Sequence, residues 1–213
     1  MILFLDGRSV LSEDKGVFWE QTRKQIGEEE KVVIEIGHHM EWNRVYRYLE
    51  DAHAIVLVAD VQFGNISSKV LTFLERVESI VIRGESIGGK FYAILYTKLY
   101  EADQTAIAMG ILKNFCARAN IVWGRGLGIS GNGLKMISPD NYIWNIFRRK
   151  KTDFRTKALQ EQALFIREKI EGTDVYIWPE STSKRMYVRK FNRKIKKSNR
   201  EKIAQSRMNR ENY

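Results

Sequence analysis

Apolar residues along this chain fall into two alternating patterns. Short, nearly continuous apolar blocks occur at Ile2 to Leu5, Val32-Val-Ile-Glu-Ile36, Ala54-Ile-Val-Leu-Val-Ala59, Lys90-Phe-Tyr-Ala-Ile-Leu-Tyr-Thr97 and Ile121-Val-Trp123. Blocks this short, bounded by polar or glycine residues, predict strands. Between them apolar residues recur every three or four positions, which is a helix period. The stripes are Trp42, Val45, Tyr46 and Leu49, then Val70, Leu71, Phe73, Leu74 and Val77, then Ile107, Ile111, Leu112 and Phe115. A further helix is predicted from about Ser12 to Ile26. The block at Ala54–Ala59 is the most apolar and needs cover on both faces, as the central strand of a parallel sheet does. The alternation predicts an α/β fold: a doubly wound, five-stranded parallel sheet whose strand-to-helix loops gather along one edge.

Beyond the fifth block, Ser138-Pro139-Asp140 combines a capping side chain, a proline and an acid, and predicts a helix start. That helix is expected to reach Gly172 as its C-cap, with a break at Arg148-Arg-Lys-Lys151. Residues 1–172 are therefore expected to form one domain and 173–213 a basic helical extension. The chain of 213 residues is 44% hydrophobic with only two prolines, a globular composition with core enough for one domain. No apolar run approaches the roughly 20 residues of a membrane span. Met1-Ile-Leu-Phe-Leu-Asp6 has no basic stretch ahead of its apolar residues and reads as a strand, not a signal peptide. One cysteine, Cys116, allows no internal disulfide, so a reducing, cytoplasmic setting is expected. Charge changes the picture more sharply. From Lys184 to Tyr213 there are 12 Lys/Arg and 2 Asp/Glu, which accounts for the whole net charge of +10.

Candidate chemistry lies in the loops. Gly126-Leu-Gly128-Ile-Ser-Gly131 has the G-x-G-x-x-G spacing, but it follows the fifth block and not the first, so it reads as a flexible loop bordering a cleft. The loop after the first strand, Asp6 to Lys15, stands where such folds hold phosphate on helix amides, and Arg8, Ser9 and Ser12 suit that task. Glu13 and Asp14 do not, and on residue types Ser12 reads better as an ordinary helix cap with those acids behind it. After the third strand, Phe63 can stack while Asn65, Ser67 and Ser68 can hydrogen-bond or cap the next helix. After the fourth, Tyr96, Thr97 and Lys98 offer hydroxyls and a cation, and Asp103 can cap the helix that follows. His38-His39 reads as surface, because neighbouring histidines diverge in an extended chain and nothing nearby completes a metal site. Cys116 falls on an apolar helix face and reads as core. No Ser-His-Asp, Cys-His or paired-carboxylate arrangement is legible, so any redox or transfer chemistry would be a cofactor's. In the basic extension, Val188, Phe191, Ile195 and Ile203 share a helix face, which favours docking on the domain over nucleic-acid binding.

Taken together, Asp51-Ala-His-Ala-Ile-Val-Leu-Val-Ala59 through Ser68-Lys-Val-Leu-Thr-Phe-Leu-Glu75, Gly89-Lys-Phe-Tyr-Ala through Phe115-Cys116 to Trp123-Gly124, and Ser183-Lys-Arg-Met-Tyr-Val188 resemble the flavodoxin-like NAD(P)H-dependent FMN reductase and quinone reductase superfamily. The resemblance implies FMN at the carboxyl edge, with hydride passing from NAD(P)H through the flavin to a small acceptor such as a quinone. It implies Arg8, Ser9 and Ser12 at the phosphate, and Gln62, Phe63, Gly64, Asn65, Tyr96, Thr97 and Lys98 around the ring. A homodimer is usual in that superfamily. The family's Ser-Pro-Arg first loop is replaced here by Gly7-Arg-Ser-Val-Leu-Ser-Glu-Asp14, and its proline and aromatic after strand three by Asp60-Val61-Gln62-Phe63. A flavin-free binding or partner subunit, acting through loops and basic tail on a protein or polyanion, is the alternative these changes leave open.

Overall fold

The computed structural model describes residues 1–8, 30–37, 40–131 and 154–178, and within the C-terminal unit residues 184–186, 188–189 and 192–193. The chain divides into two units, Met1–Trp178 and Pro179–Tyr213. In the first unit the strands are β1 (Ile2–Asp6), β2 (Lys31–Glu35), β3 (Ala54–Gln62), β4 (Asn65–Ile66), β5 (Lys90–Thr97), β6 (Val122–Ser130) and β7 (Val175–Ile177). The helices are α1 (Trp42–Asp51), α2 (Ser68–Ile82), α3 (Ala106–Arg118, entered through a 3-10 turn at Ala102–Thr105) and α4 (Phe154–Arg167). The strands form one sheet in the order β2-β1-β3-β5-β6-β7, all parallel, with β4 paired antiparallel to β3 alone. The expected doubly wound α/β sheet is present, with β4 and β7 added to the five predicted strands.

Both faces of the sheet are apolar. On one face Leu3, Leu5, Ile55, Leu57, Phe91 and Leu95 pack against Val45 and Leu49 of α1, Phe73 and Val77 of α2, and Leu112 and Phe115 of α3. On the other, Phe4, Val56, Val58, Tyr92, Ile94 and Leu127 pack against Leu159, Ala163 and Ile166 of α4. The three described stripes predicted as helices are helices, and their apolar sides pack on the sheet except at Ile107, which is exposed. Helix ends follow local rules. Asn120 (φ 52°) and Lys169 (φ 55°) take the left-handed position just past α3 and α4. There Ile121 N–H reaches the Cys116 carbonyl (2.8 Å) and Ile170 N–H the Phe165 carbonyl (3.0 Å), the Schellman closure. Gly172, expected as the cap of the last helix, instead lies against the Phe165 ring and donates its N–H to the Gly124 carbonyl at 2.8 Å. The predicted helix start at Ser138, the helix at 12–26 and His38-His39 lie outside the described residues.

The glycine-rich segment corrects the sequence expectation. Gly124, Gly126 and Gly128 are inside β6, in register with β5 from Tyr92↔Arg125 to Thr97↔Ser130. They are strand and not loop. Each is glycine because a neighbour fills the place of its side chain: the Tyr92 ring at Gly124, Met109 at Gly126, and Thr105 with Tyr176 at Gly128. Alternating glycine lacks the branched residues by which strands are usually recognised, so the pattern reads as loop. Asp174, just before β7, fastens the far side of β6. Its Oδ1 accepts from Gly126 N–H (2.9 Å) and Trp123 Nε1 (3.1 Å), and its Oδ2 pairs with Lys113 at 2.6 Å.

Gly128→Ala is expected to destabilise the fold by about 1–3 kcal/mol, the usual cost of overpacking, because Thr105 and Tyr176 must both give way. Urea unfolding measures it; an unchanged midpoint would contradict the packing described. Stability is also expected to fall at alkaline pH. Burial pushes the Cys116 thiol up to about 12, and burial with the charge of Glu171 pushes the Tyr92 hydroxyl up to about 12. The unfolded chain releases these protons from about pH 8.5 and about pH 10, so above those values it binds fewer protons than the folded chain. Stability is therefore complete below about pH 8 and declines toward about pH 12, and Cys116→Ala should flatten part of that decline.

Candidate functional site

The parallel sheet directs the ends of β1, β3 and β5 to one edge, and the strand order reverses at the neighbouring pair β1 and β3. Open α/β sheets bind ligands at such a place. β1 stops at Asp6, opposite Val58, with Gly7 N–H still donating to the Val58 carbonyl at 2.8 Å. β3 continues four residues further, to Gln62, alongside β5. The step between the two ends holds the most closely built polar cluster of the described edge.

Arg8 is the centre of that cluster. Its Nε donates to Asp6 Oδ1 (2.9 Å) and its Nη2 to Asp6 Oδ2 (2.8 Å), while its backbone N–H also reaches Asp6 Oδ1 (3.1 Å). The pair is buried, with Arg8 only 4% exposed. Burial is the largest effect on the guanidinium and pulls its pKa down. The hydrogen bond and charge of Asp6, with Tyr96 and Asp60 behind them, outweigh it and hold the group above its ordinary value. Lys69, in the first turn of α2, donates to the Arg8 carbonyl at 2.8 Å. Gly7 allows this approach: a side chain there would meet Val70 Cγ2 at 2.5 Å. Arg8, expected at a phosphate, is thus held by a carboxylate of its own strand. Ser9, Ser12, Glu13 and Asp14 lie outside the described residues.

The segment after β3, expected as an open loop, is a tight hairpin. Val61↔Ile66 and Gln62↔Asn65 are paired across it, leaving Phe63 and Gly64 as a two-residue turn. Both turn residues have positive φ, 51° and 83°, as a type I′ turn requires. Asn-Gly is the sequence that suits this turn; an aromatic in the left-handed region is strained. Phe63 is nonetheless there, 86% exposed at the carboxyl edge. Beside it Ile107 of α3, 62% exposed, contacts the place where a Gly64 side chain would lie. Gln62 and Asn65 are exposed on either side of the turn. Ser67 occupies the cap position of α2 without a side-chain hydrogen bond, and its Oγ is buried with no partner.

At the end of β5, Tyr96 is buried beside Arg8, and Thr97 Oγ1 accepts from Leu99 N–H at 3.2 Å, so Thr97 shapes its own loop. Lys98 is exposed. The Leu99 carbonyl accepts from Gly131 N–H (3.1 Å), which ties this loop to the end of β6. Asp103 makes no capping bond to α3, whose cap position is Thr105. The structure therefore gathers Arg8, Gln62, Phe63, Gly64, Asn65, Tyr96, Thr97 and Lys98 along one edge. Asp6, Asp60 and Lys69 were not singled out from the sequence. The signal was a carboxylate closing an apolar strand with an arginine two residues on.

Two hollows among the described residues lie elsewhere. One of about 460 Å³ sits at the amino edge between Asp51, His53, Lys90 and Lys169, and one of about 810 Å³ lies over α1 between Trp42, Arg44 and Tyr48. Neither joins the polar cluster at the strand reversal, and no group of three His, Cys, Asp or Glu side chains suited to a metal occurs among the described residues. The carboxyl edge fits a flavin unequally. The ring end has an exposed aromatic held up by a strained turn with amide side chains on both sides. At the phosphate end Arg8 is paired with Asp6, and the rest of that loop lies outside the described residues.

No protein-family model and no curated protein matches the chain. Solved structures do. An NADPH-quinone reductase from P. pentosaceus aligns at a TM-score of 0.56 and 8% identity over 78% of this chain and 97% of that one. An NADH:FMN oxidoreductase in its apo form aligns at 0.54 and 7% identity, over 80% and 90%. The Trp repressor binding protein from Bacillus subtilis aligns at 0.51 and 8% identity, over 62% and 85%. The chain has the flavodoxin-like fold and shares it with these structures.

Phe63→Asn, which makes the turn Asn-Gly, should stabilise the fold by about 1 kcal/mol while weakening any ligand that uses the ring. Thermal unfolding beside a flavin titration reads both effects. A stability gain with binding untouched would remove Phe63 from the site.

Proposed function

We propose that the chain binds a flavin at the carboxyl edge and works as an NAD(P)H-dependent oxidoreductase on a small acceptor such as a quinone or free flavin. The observation that carries this reading is Phe63. An exposed aromatic kept at φ 51° beside the strand reversal is costly to folding unless a ligand uses it. In this reading Phe63 presents its face to the flavin ring, while Gln62 and Asn65 offer amide donors and acceptors at the ring edge. Gly64 keeps the turn tight, and Tyr96, Thr97 and Lys98 border the same space from β5. The resemblance would give Arg8, Ser9 and Ser12 to the cofactor's phosphate, Ser9 and Ser12 lying outside the described residues. A bound flavin would supply two-electron hydride chemistry between a nicotinamide and the acceptor, with Gln62, Phe63 and Asn65 holding its ring. FMN as the flavin, a cytoplasmic setting and a homodimer that completes the edge belong to the same proposal. The flavodoxin-like fold and the reversal of strand order at β1 and β3 support it.

A second reading has its own observation. The buried Asp6–Arg8 pair is what a flavodoxin-fold module without flavin would carry, with partners met through the loops or the basic C-terminal unit. One experiment separates the two. Purified chain, soaked with flavin and desalted, is expected to retain a flavin absorbance and to oxidise NADH or NADPH when a quinone is added. Absence of bound flavin at protein well above micromolar would remove the oxidoreductase reading. Salt-sensitive binding of a polyanion, lost on removal of residues 184–213, would then support the module.

A further inference from the structure

We propose that the C-terminal unit is a nucleic-acid-binding element in which Arg185, Arg189 and Arg193 hold the phosphate backbone without reading its bases. This rests on the basic-tail contact of the second reading above and names its partner. It does not require the carboxyl edge to be free of flavin.

From Lys184 to Arg200 the sequence has nine Lys/Arg and no Asp or Glu. The described residues of this stretch, 184–186, 188–189 and 192–193, are helical and exposed. Arg185, Arg189 and Arg193 are among them, at four-residue intervals. Residues four apart are neighbours on one helix face, and each interval rises about 6 Å, so the three arginines form a stripe about 12 Å long. Like charges at this spacing oppose the helix that carries them, and a polyanion relieves the repulsion. Each strand of a duplex presents a phosphate about every 3.4 Å of axis, so the stripe faces about three to four of them. Arginine suits that task, because its planar fork meets two phosphate oxygens at once. The apolar residues Val188, Phe191 and Ile195 centre about 130° around the helical period from the arginines. Packing through the apolar side therefore leaves the arginine side to a partner. An anionic membrane is the competing partner of a basic helix. Interfacial helices are anchored by Trp, Phe and Leu, and from Lys184 onward the sequence has one Phe and no Trp or Leu. Charge outweighs apolar anchorage here, which favours a nucleic acid over a bilayer.

Fluorescence anisotropy of a labelled duplex of about 20 base pairs, and of an RNA strand of similar length, titrated with the full chain, tests this. Binding is expected at micromolar concentrations and alike for unrelated sequences. It should weaken by about 40-fold or more between about 50 and 200 mM salt, the loss that three phosphate contacts imply. Replacing Arg185, Arg189 and Arg193 together by Gln should flatten the logarithmic salt slope by about 3. Replacing all three by Lys should keep most of the slope and weaken binding by about tenfold or less, since charge stays and the fork is lost. The exposed Arg44, Arg47 and Arg83 of the first unit, replaced by Gln, change the net charge equally. They should cost less than about threefold, because net charge acts at long range and the stripe by contact. An equal loss in both triple variants would take the binding away from the stripe. Binding to neither nucleic acid at about 50 mM salt, or to phosphatidylserine vesicles alone, would overturn the proposal. Flavin absorbance in the same samples decides the flavin reading separately.

Discussion

The structure depends on one constraint: the middle strands are apolar on both faces. Ala54 through Ala59 of β3 and Phe91 through Leu95 of β5 are completely or almost completely buried. Side chains pointing both ways from such strands need helices above and below, and helices reach both faces only through parallel crossovers. Parallel strands in turn bring every strand-to-helix connection to the carboxyl edge. The location of the candidate site thus follows from burial before any polar residue is considered. What the polar residues decide is how that edge behaves.

Legibility in the sequence follows from the same distinction. The central strands and the three described helices with apolar stripes were readable because their periods reflect burial on one face or two. β6 was recognised at its start, Val122 and Trp123, but its continuation was read as loop because its packing is inverted. Met109, Thr105, Tyr92 and Tyr176 supply the side-chain volume, and the strand contributes glycines that look like a loop. β7 was missed because a three-residue, half-buried strand carries too few apolar positions to register. The hairpin after β3 escaped because Phe63-Gly64 is a poor sequence for its turn, so local preference argued against it. Where local preference and structure disagree, a site residue is the usual cause.

The candidate site was legible as places and less so as roles. Loops after the first, third and fourth predicted strands pointed to Arg8, Gln62, Phe63, Gly64, Asn65, Tyr96, Thr97 and Lys98, and these residues share one edge. Residue type alone made Arg8 an anion ligand. Its commitment to Asp6 depends on a contact two residues back across the end of a strand, which no spacing rule captures. Thr97 also accepts a hydrogen bond within its own loop, a local role that residue type alone did not show.

The two margins of the sheet have a consequence for how copies of this chain can meet. β7 is three residues long, and β2 at the opposite margin begins with Lys31 and ends with Glu35. A margin that short offers few free backbone groups, and a margin bracketed by charges resists being continued. Two sheets therefore have little to extend through on either side. Were two copies to meet, side-chain surfaces such as the exposed pair Phe63 and Ile107 would offer them more than the described sheet margins do, which favours specific contact over open-ended strand ladders.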